Sequence, residues 1–119
     1  MRLLVVEDHK ATREVLTRLL TRAGHRVVAA SSIAGALAAA AGEEFDVVIS
    51  DLGLPDGNGH HLMASLRDDH GLRGIALSGY GTDEDVRRSL EAGFGAHLVK
   101  PVDMNELRRA LRQLASDGG

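Results

Sequence analysis

The feature that most constrains the fold of this chain is a regular alternation of short apolar runs with longer amphipathic stretches. The apolar runs are rich in Val, Leu and Ile, and they lie at 3–6, 26–30, 46–50, 74–78 and 96–99. Short runs of this kind are typical of strands buried on both faces of a parallel sheet, and the amphipathic stretches between them are typical of covering helices. The alternation therefore predicts an α/β fold with five strands and five helices.

The predicted helices lie at 11–23 and 33–41 and then after each of the later strands. Residues that commonly begin or end helices stand at several of their ends. Gly24 and Gly42 follow the first two, as C-terminal caps often do. Thr82 and Asp103 precede the fourth and fifth, and residues of these types commonly cap helix N-termini. Helical spacing predicts core-facing positions that include Val15, Leu16, Leu19 and Leu20 on the first helix and Val86 and Leu90 on the fourth.

Length and charge narrow the class of protein. The chain has 119 residues, so we expect a single domain that spans residues 1–119. A net charge of -3 and the lack of a basic run argue against direct binding of nucleic acid. The absence of cysteine excludes disulfides, thiolate metal sites and cysteine nucleophiles. No apolar run approaches the length of a membrane span, so we expect a cytoplasmic domain without membrane contact.

Polar side chains stand where the predicted strands end. Glu7 and Asp8 follow the first strand and Asp51 follows the third, while Ser78 ends the fourth and Lys100 follows the fifth. Ligands of open parallel sheets bind just beyond the carboxyl ends of the strands, so we expect these five side chains to converge on one site.

This set of side chains suits phosphoryl chemistry. Three crowded carboxylates repel one another unless a cation lies among them, and oxygen ligands favour Mg²⁺ or Mn²⁺. Lys100 and Ser78 would add a fixed positive charge and a hydroxyl donor, the groups that hold the oxygens of a transferring phosphoryl group. The pattern predicts a phosphorylation pocket.

The ordered set of motifs resembles the receiver domain of bacterial two-component response regulators over essentially the whole chain. The resemblance rests on Glu7-Asp8, on Asp51 followed by LGLPDGNG, on Ser78-Gly79 and on Lys100-Pro101. It implies a flavodoxin-like (βα)5 fold, with the five parallel strands in the order 2-1-3-4-5.

The resemblance also implies roles for individual residues. Asp51 would accept phosphate from a phosphohistidine on a histidine kinase or a phosphotransfer protein, so that the domain catalyses its own phosphorylation. Ser78 and Lys100 would bind the phosphoryl oxygens, and Pro101 would follow Lys100 in a cis peptide bond. The magnesium ligands would be Glu7, Asp8, Asp51 and the backbone carbonyl of Gly53.

A switch and a parent protein follow from the same resemblance. Ser78 and His97 would form the switch pair, and phosphorylation would change the face made by the fourth helix, the fifth strand and the fifth helix, where a downstream partner binds. The stretch GYGTDEDVRRSLEAGFGAHLVKPVD is similar to receivers of hybrid sensor histidine kinases. A stand-alone single-domain response regulator is the alternative.

Other classes fit less well. A haloacid-dehalogenase-like phosphatase needs a D-x-D pattern after its first strand, whereas Asp8 is followed by His9 and Lys10. A toprim-type nuclease needs D-x-D after a later strand, whereas Leu52-Gly53 follow Asp51. A receiver-like interaction module that takes no phosphate remains open, although such modules normally lack an acid or the lysine.

Two remaining features have simpler interpretations. Asp56 is expected to be a turn residue of PDGNG, outside the site. His60 and His61 are adjacent on a predicted helix and so point in different directions, which argues against a zinc site.

Overall fold

Five helices cover the two faces of a five-stranded parallel sheet in the computed structural model, which describes residues 1–117. The strands are β1 (Arg2–Val6), β2 (Arg26–Ala30), β3 (Val47–Asp51), β4 (Arg73–Ser78) and β5 (Phe94–Val99). The helices are α1 (Lys10–Arg22), α2 (Ile33–Gly42), α3 (Gly59–His70), α4 (Asp83–Ala92) and α5 (Met104–Asp117). The strand order, β2-β1-β3-β4-β5, confirms the predicted flavodoxin-like arrangement.

A short antiparallel ribbon joins β3 to α3. Gly53–Leu54 pairs in it with Gly57–Asn58, so the chain turns tightly just after Asp51. We call residues 52–58 the acceptor loop.

The core lies in two layers, one on each face of the sheet. On β1, Leu4 and Val6 face the layer that also contains buried residues of α2 and α3, while Leu3 and Val5 face the layer that contains buried residues of α1 and α5. The central strands are thus buried on both faces, which explains why they appear in the sequence as continuous apolar runs.

Two residues predicted to face the core are exposed instead. Val15 of α1 is 52% exposed and Leu90 of α4 is 53% exposed. On α1, Leu16 and Leu20 make the buried contact, since residues four apart share one face. On α4 the fully buried residue is Ser89, so this helix turns a polar side chain inward and leaves its neighbour Leu90 on the surface.

The helix N-termini are capped as the sequence predicts. The Thr82 side chain accepts from the Asp85 amide, and the Asp85 side chain bonds back to Thr82 in a capping box. The Asp103 carboxylate accepts from the amides of Asn105 and Glu106.

β5 begins two residues earlier than predicted. Gly95 lies within the strand, where a methyl group would overlap the side chain of Leu114. The close approach of Leu114 therefore explains why this strand position is a glycine. Among the helices that the structure describes, none has the length and apolar character needed to cross a membrane.

Candidate functional site

The register of the sheet brings the predicted site residues to one edge. Val6 lies opposite Ser50 where β1 meets β3, and Ser78 lies opposite Val99 where β4 meets β5. The next residues along β1, β3 and β5 are the charged residues Glu7, Asp51 and Lys100, respectively. Residues far apart in sequence thus leave the sheet side by side, as the positions of the strand ends predicted.

Lys100 bridges two of the carboxylates. Its Nζ lies 3.0 Å from Oε1 of Glu7 and 2.8 Å from Oδ2 of Asp51. The Glu7 side chain is only 1% exposed, while that of Lys100 is 32% exposed and reaches toward solvent. Charge-assisted hydrogen bonds of this length are strong, so the lysine fixes the orientation of both acids.

Burial and pairing act in opposite directions on the ionisation of this cluster. Burial raises the pKa of Glu7, and the hydrogen bonds from Lys100 and from the His9 amide only partly offset it. Burial alone would lower the pKa of Lys100, but the bonds to Asp51 and Glu7 outweigh it and hold the pKa above its ordinary value. Lys100 therefore stays protonated beside the acids.

The donor set at this edge fits a hard divalent cation. Glu7, Asp8 and Asp51 each offer a carboxylate oxygen, and these oxygens lie within 4.8 Å of one another. Three acids against one lysine leave excess negative charge, and oxygen-only ligands with such charge favour Mg²⁺. Asp8 is exposed and Asp51 half-buried, so the cluster is open to solvent. Gly53 is exposed in the adjoining acceptor loop.

A glycine sets how closely α3 approaches Asp51. The Gly59 amide donates to the Leu52 carbonyl at 2.9 Å. A methyl group at position 59 would overlap the Asp51 carbonyl oxygen and lie 2.9 Å from the Leu52 Cα. Only glycine therefore lets the acceptor loop close this tightly, because the neighbouring atoms are backbone and cannot rotate away.

Ser78 and His97 belong to one chain of hydrogen bonds. The buried Ser78 hydroxyl accepts from the Tyr80 amide at 3.0 Å, and the His97 Nε2 lies 2.8 Å from the Tyr80 carbonyl oxygen. The other ring nitrogen, Nδ1, lies 2.7 Å from Oγ of Ser89 on α4. Because a carbonyl only accepts, Nε2 carries a proton. The chain of contacts leads from the site edge to the buried face of α4.

Two further residues of this region gave no usable signal in the sequence. Ser89 is not among the core-facing positions that helical spacing predicted for α4, yet it is fully buried against His97. Asp56 lies in the turn as predicted, but its carboxylate also accepts the amides of Ile33 and Ala34 at the start of α2. Both depend on contacts between distant segments, which local patterns do not encode. The peptide bond between Lys100 and Pro101 is cis.

The sequence matches a known family model over most of its length. The model, described as response regulator receiver domain, covers residues 3–112. The chain belongs to the response regulator receiver family. Receivers of this family interact with histidine kinases or phosphotransfer proteins and with downstream effectors, and they generally bind Mg²⁺ through acidic residues. In this receiver, Glu7, Asp8 and Asp51 form an acidic cluster that could hold a metal ion.

Curated relatives of this receiver are longer proteins. The sensory/regulatory protein RpfC of Xanthomonas campestris is 41% identical over 97% of this chain, which spans 16% of that protein. The KDP operon transcriptional regulatory protein KdpE of Escherichia coli is 38% identical over 92% of the chain, which spans 48% of it. The transcriptional regulatory protein CusR of the same species is 38% identical over 99%, with 52% of its length spanned.

Solved structures show the same fold. The non-phosphorylated HemR receiver domain from Leptospira biflexa has a TM-score of 0.85 at 30% identity, covering 95% of this chain and 92% of that one. The chemotaxis response regulator CheY4 of Vibrio cholerae has a TM-score of 0.88 at 27% identity, covering 95% and 97%.

Proposed function

We propose that this receiver takes a phosphoryl group from a phosphohistidine onto Asp51 in a Mg²⁺-dependent reaction. The observation that carries the proposal is the place of Asp51, which lies at the open edge of the sheet with one carboxylate oxygen held 2.8 Å from Lys100. Its neighbours Glu7 and Asp8 complete a donor set for the cation. These four side chains would supply the acceptor, a fixed positive charge and the cation ligands that the proposed reaction needs.

The chain's own residues account for the transfer step. An Asp51 carboxylate oxygen attacks phosphorus, the P–N bond of the donor breaks, and its electron pair returns to the donor imidazole. Glu7, Asp8, Asp51 and the Gly53 carbonyl would hold Mg²⁺, which neutralises charge on the phosphoryl oxygens when bound. Lys100 is already beside Asp51 and stabilises the charge that arrives there. Water later hydrolyses the mixed anhydride and regenerates the carboxylate.

Ser78 is the hydroxyl donor in this proposal. Its oxygen accepts from the Tyr80 amide, which leaves the hydroxyl hydrogen to be donated to a phosphoryl oxygen. The new charge on Asp51 draws that hydroxyl toward the pocket, and the Tyr80 amide loses its acceptor as a result.

The donor protein must cover the rim of the pocket, because its histidine has to reach Asp51. An apolar groove adjoins Lys100 there, lined by residues of α1 and of the segment after β5 that include Ala11, Val15, Leu19, Pro101 and Met104. Exposed apolar surface beside a reactive group is typical of a protein interface. We therefore place the histidine kinase or phosphotransfer domain on this groove, which also explains why Val15 is exposed.

Incubation with acetyl phosphate tests the proposed function. We expect intact-mass spectra to show one added phosphoryl group in the presence of Mg²⁺ and none when EDTA replaces it. Fragmentation of the adduct should place the group on Asp51. Stable binding of a histidine phosphotransfer domain without any adduct would instead favour the interaction module that takes no phosphate.

The output face is proposed to be α4, β5 and α5. Large hydrophobic side chains are exposed on or beside α4 and β5, at Tyr80, Leu90 and Val99. Exposed hydrophobic surface of this kind is typical of a protein interface. The His97 ring joins this face to the pocket through its bonds to Tyr80 and Ser89. A shift of Ser78 therefore reaches α4 through a polar contact, and a downstream protein or domain would read the result.

We expect His97→Ala to confine the effect of phosphorylation to the pocket. In the wild type, a fluoroberyllate mimic of the phosphoryl group should shift amide resonances from Asp51 through 82–93 to 103–112. In the variant the shifts at 82–93 should be lost, because no ring links the Tyr80 carbonyl to Ser89. His61→Ala, at an exposed position of α3, is the control. Distant shifts that persist in His97→Ala would exclude this route.

The parent protein is proposed to be a hybrid sensor histidine kinase that carries this receiver. The sequence similarity to a sensory/regulatory protein over 97% of the chain supports this assignment. A stand-alone single-domain response regulator is the second candidate, although the chain spans only about half of the two transcriptional regulatory proteins that it resembles. The sequence of the full gene distinguishes the two candidates, because the gene of a hybrid kinase also encodes a kinase core in the same polypeptide.

A further inference from the structure

Asp56 connects the acceptor loop to a helix that lies elsewhere in the sequence. One carboxylate oxygen, Oδ1, accepts the Ile33 amide at 2.8 Å, and the other, Oδ2, accepts the Ala34 amide at 3.0 Å. These amides belong to the first turn of α2, where backbone N–H groups have no partner within the helix. The Ala34 and Ile33 amides lower the pKa of Asp56, so the carboxylate stays ionised in this position.

The same junction is closed by a second contact. A methyl group at Gly57, where φ is +152°, would lie 2.9 Å from Cδ1 of Ile33. The acceptor loop therefore touches the first turn of α2 through both a carboxylate and a bare backbone. The cap of α2 itself is separate, because the Ser32 hydroxyl accepts the Gly35 amide at 3.1 Å.

The other end of the loop is fixed at the pocket. The Gly59 amide bonds to the Leu52 carbonyl, and Gly53 follows Asp51 by two residues. Gly53, whose carbonyl is the proposed backbone ligand, thus lies between one attachment at Asp51 and another at α2. If the Asp56 bonds to α2 are removed, the turn of the loop is held only by its own antiparallel ribbon and by the contact of Gly57 with Ile33.

We propose that Asp56 is a positioning residue that ties the acceptor loop to the first turn of α2, so that Mg²⁺ binding at the pocket and formation of that turn are coupled. The inference rests on the proposed function, because it takes the Gly53 carbonyl as a magnesium ligand. Coupling of this kind is reciprocal, so Mg²⁺ should protect the start of α2 as much as Asp56 favours Mg²⁺.

Two variants test the inference, with Mg²⁺ alone as the probe. Calorimetric titration should show Mg²⁺ affinity about threefold to tenfold lower in Asp56→Ala, at or below the lower end of what outer partners of metal ligands contribute. Asp56→Asn keeps one acceptor oxygen, so its affinity should be intermediate. In the wild type, Mg²⁺ should slow hydrogen exchange of the Ile33 and Ala34 amides, and this effect should vanish in Asp56→Ala.

Ser32→Ala is the matched control, because it removes the cap of the same helix without touching the acceptor loop. We expect it to lower the melting temperature, as Asp56→Ala should, but to lower Mg²⁺ affinity less than Asp56→Ala, because the acceptor loop stays attached to α2. Equal Mg²⁺ affinity in the wild type and Asp56→Ala would overturn the inference, and so would an equal loss in Ser32→Ala. A wild type that binds no Mg²⁺ would instead contradict the proposed function.

Discussion

Asp51→Ala should show no phosphoryl adduct after incubation with acetyl phosphate and Mg²⁺. The expected loss is complete, because the variant lacks the attacking oxygen and neither neighbouring acid can replace it. The Glu7 side chain is buried and bonded to Lys100, and Asp8 is exposed on the outer side of the cluster. Intact-mass spectrometry over a time course provides the measurement.

Asp69→Ala is the control for this experiment, since it removes an exposed carboxylate on α3 away from the cluster. Its adduct should form as in the wild type. An undiminished adduct in Asp51→Ala would mean that another side chain accepts the phosphoryl group, and the assignment of Asp51 would be wrong.

Lys100→Met should slow phosphorylation by about 100-fold to 1000-fold, the range seen when one donor to a developing negative charge is removed. It should also destabilise the protein in the absence of Mg²⁺ by about 1–3 kcal/mol, because the buried Glu7 loses its counter-ion. That figure lies below the cost of breaking a fully buried pair, since Lys100 is 32% exposed.

Mg²⁺ should restore much of this stability. With Lys100 absent, the Glu7 and Asp51 oxygens have no competing cation, so the variant should bind Mg²⁺ more tightly than the wild type. Urea unfolding with and without Mg²⁺ measures both effects. Lys10→Met removes the other lysine, whose contact with Glu14 is long and exposed, and should change neither quantity. Unaltered Mg²⁺ affinity in Lys100→Met would argue against a shared set of oxygens.

The parts of the fold that the sequence predicted are those with a local physical cause. Strands buried on both faces must be apolar throughout, so their number and the layer architecture followed from the pattern. Thr82 and Asp103 cap helices through bonds to amides two or three residues away, which is why they were recognisable. The meeting of Glu7, Asp51 and Lys100 followed from the rule that parallel strands end at one edge.

The parts that escaped prediction depend on segments meeting in space. Helical spacing placed Leu90 inward, but the bond between Ser89 and His97 rotates the contact face by one residue. The sequence placed Lys100 near a phosphoryl group without indicating that it would first pair with two acids. Asp56 bonds to amides 22 and 23 residues earlier, and no local pattern distinguishes it from an ordinary turn residue.

The bridge from Lys100 to Glu7 can form only after the first and last strands have both joined the sheet. The two residues are 93 positions apart, and their strands, β1 and β5, are separated in the sheet by β3 and β4. A nascent chain that has emerged only as far as α4 already exposes Asp51 but has no lysine beside it. Under the proposed function, acceptor chemistry should therefore stay slow until the last strand has docked, so that a ribosome-bound or truncated fragment would take up few phosphoryl groups.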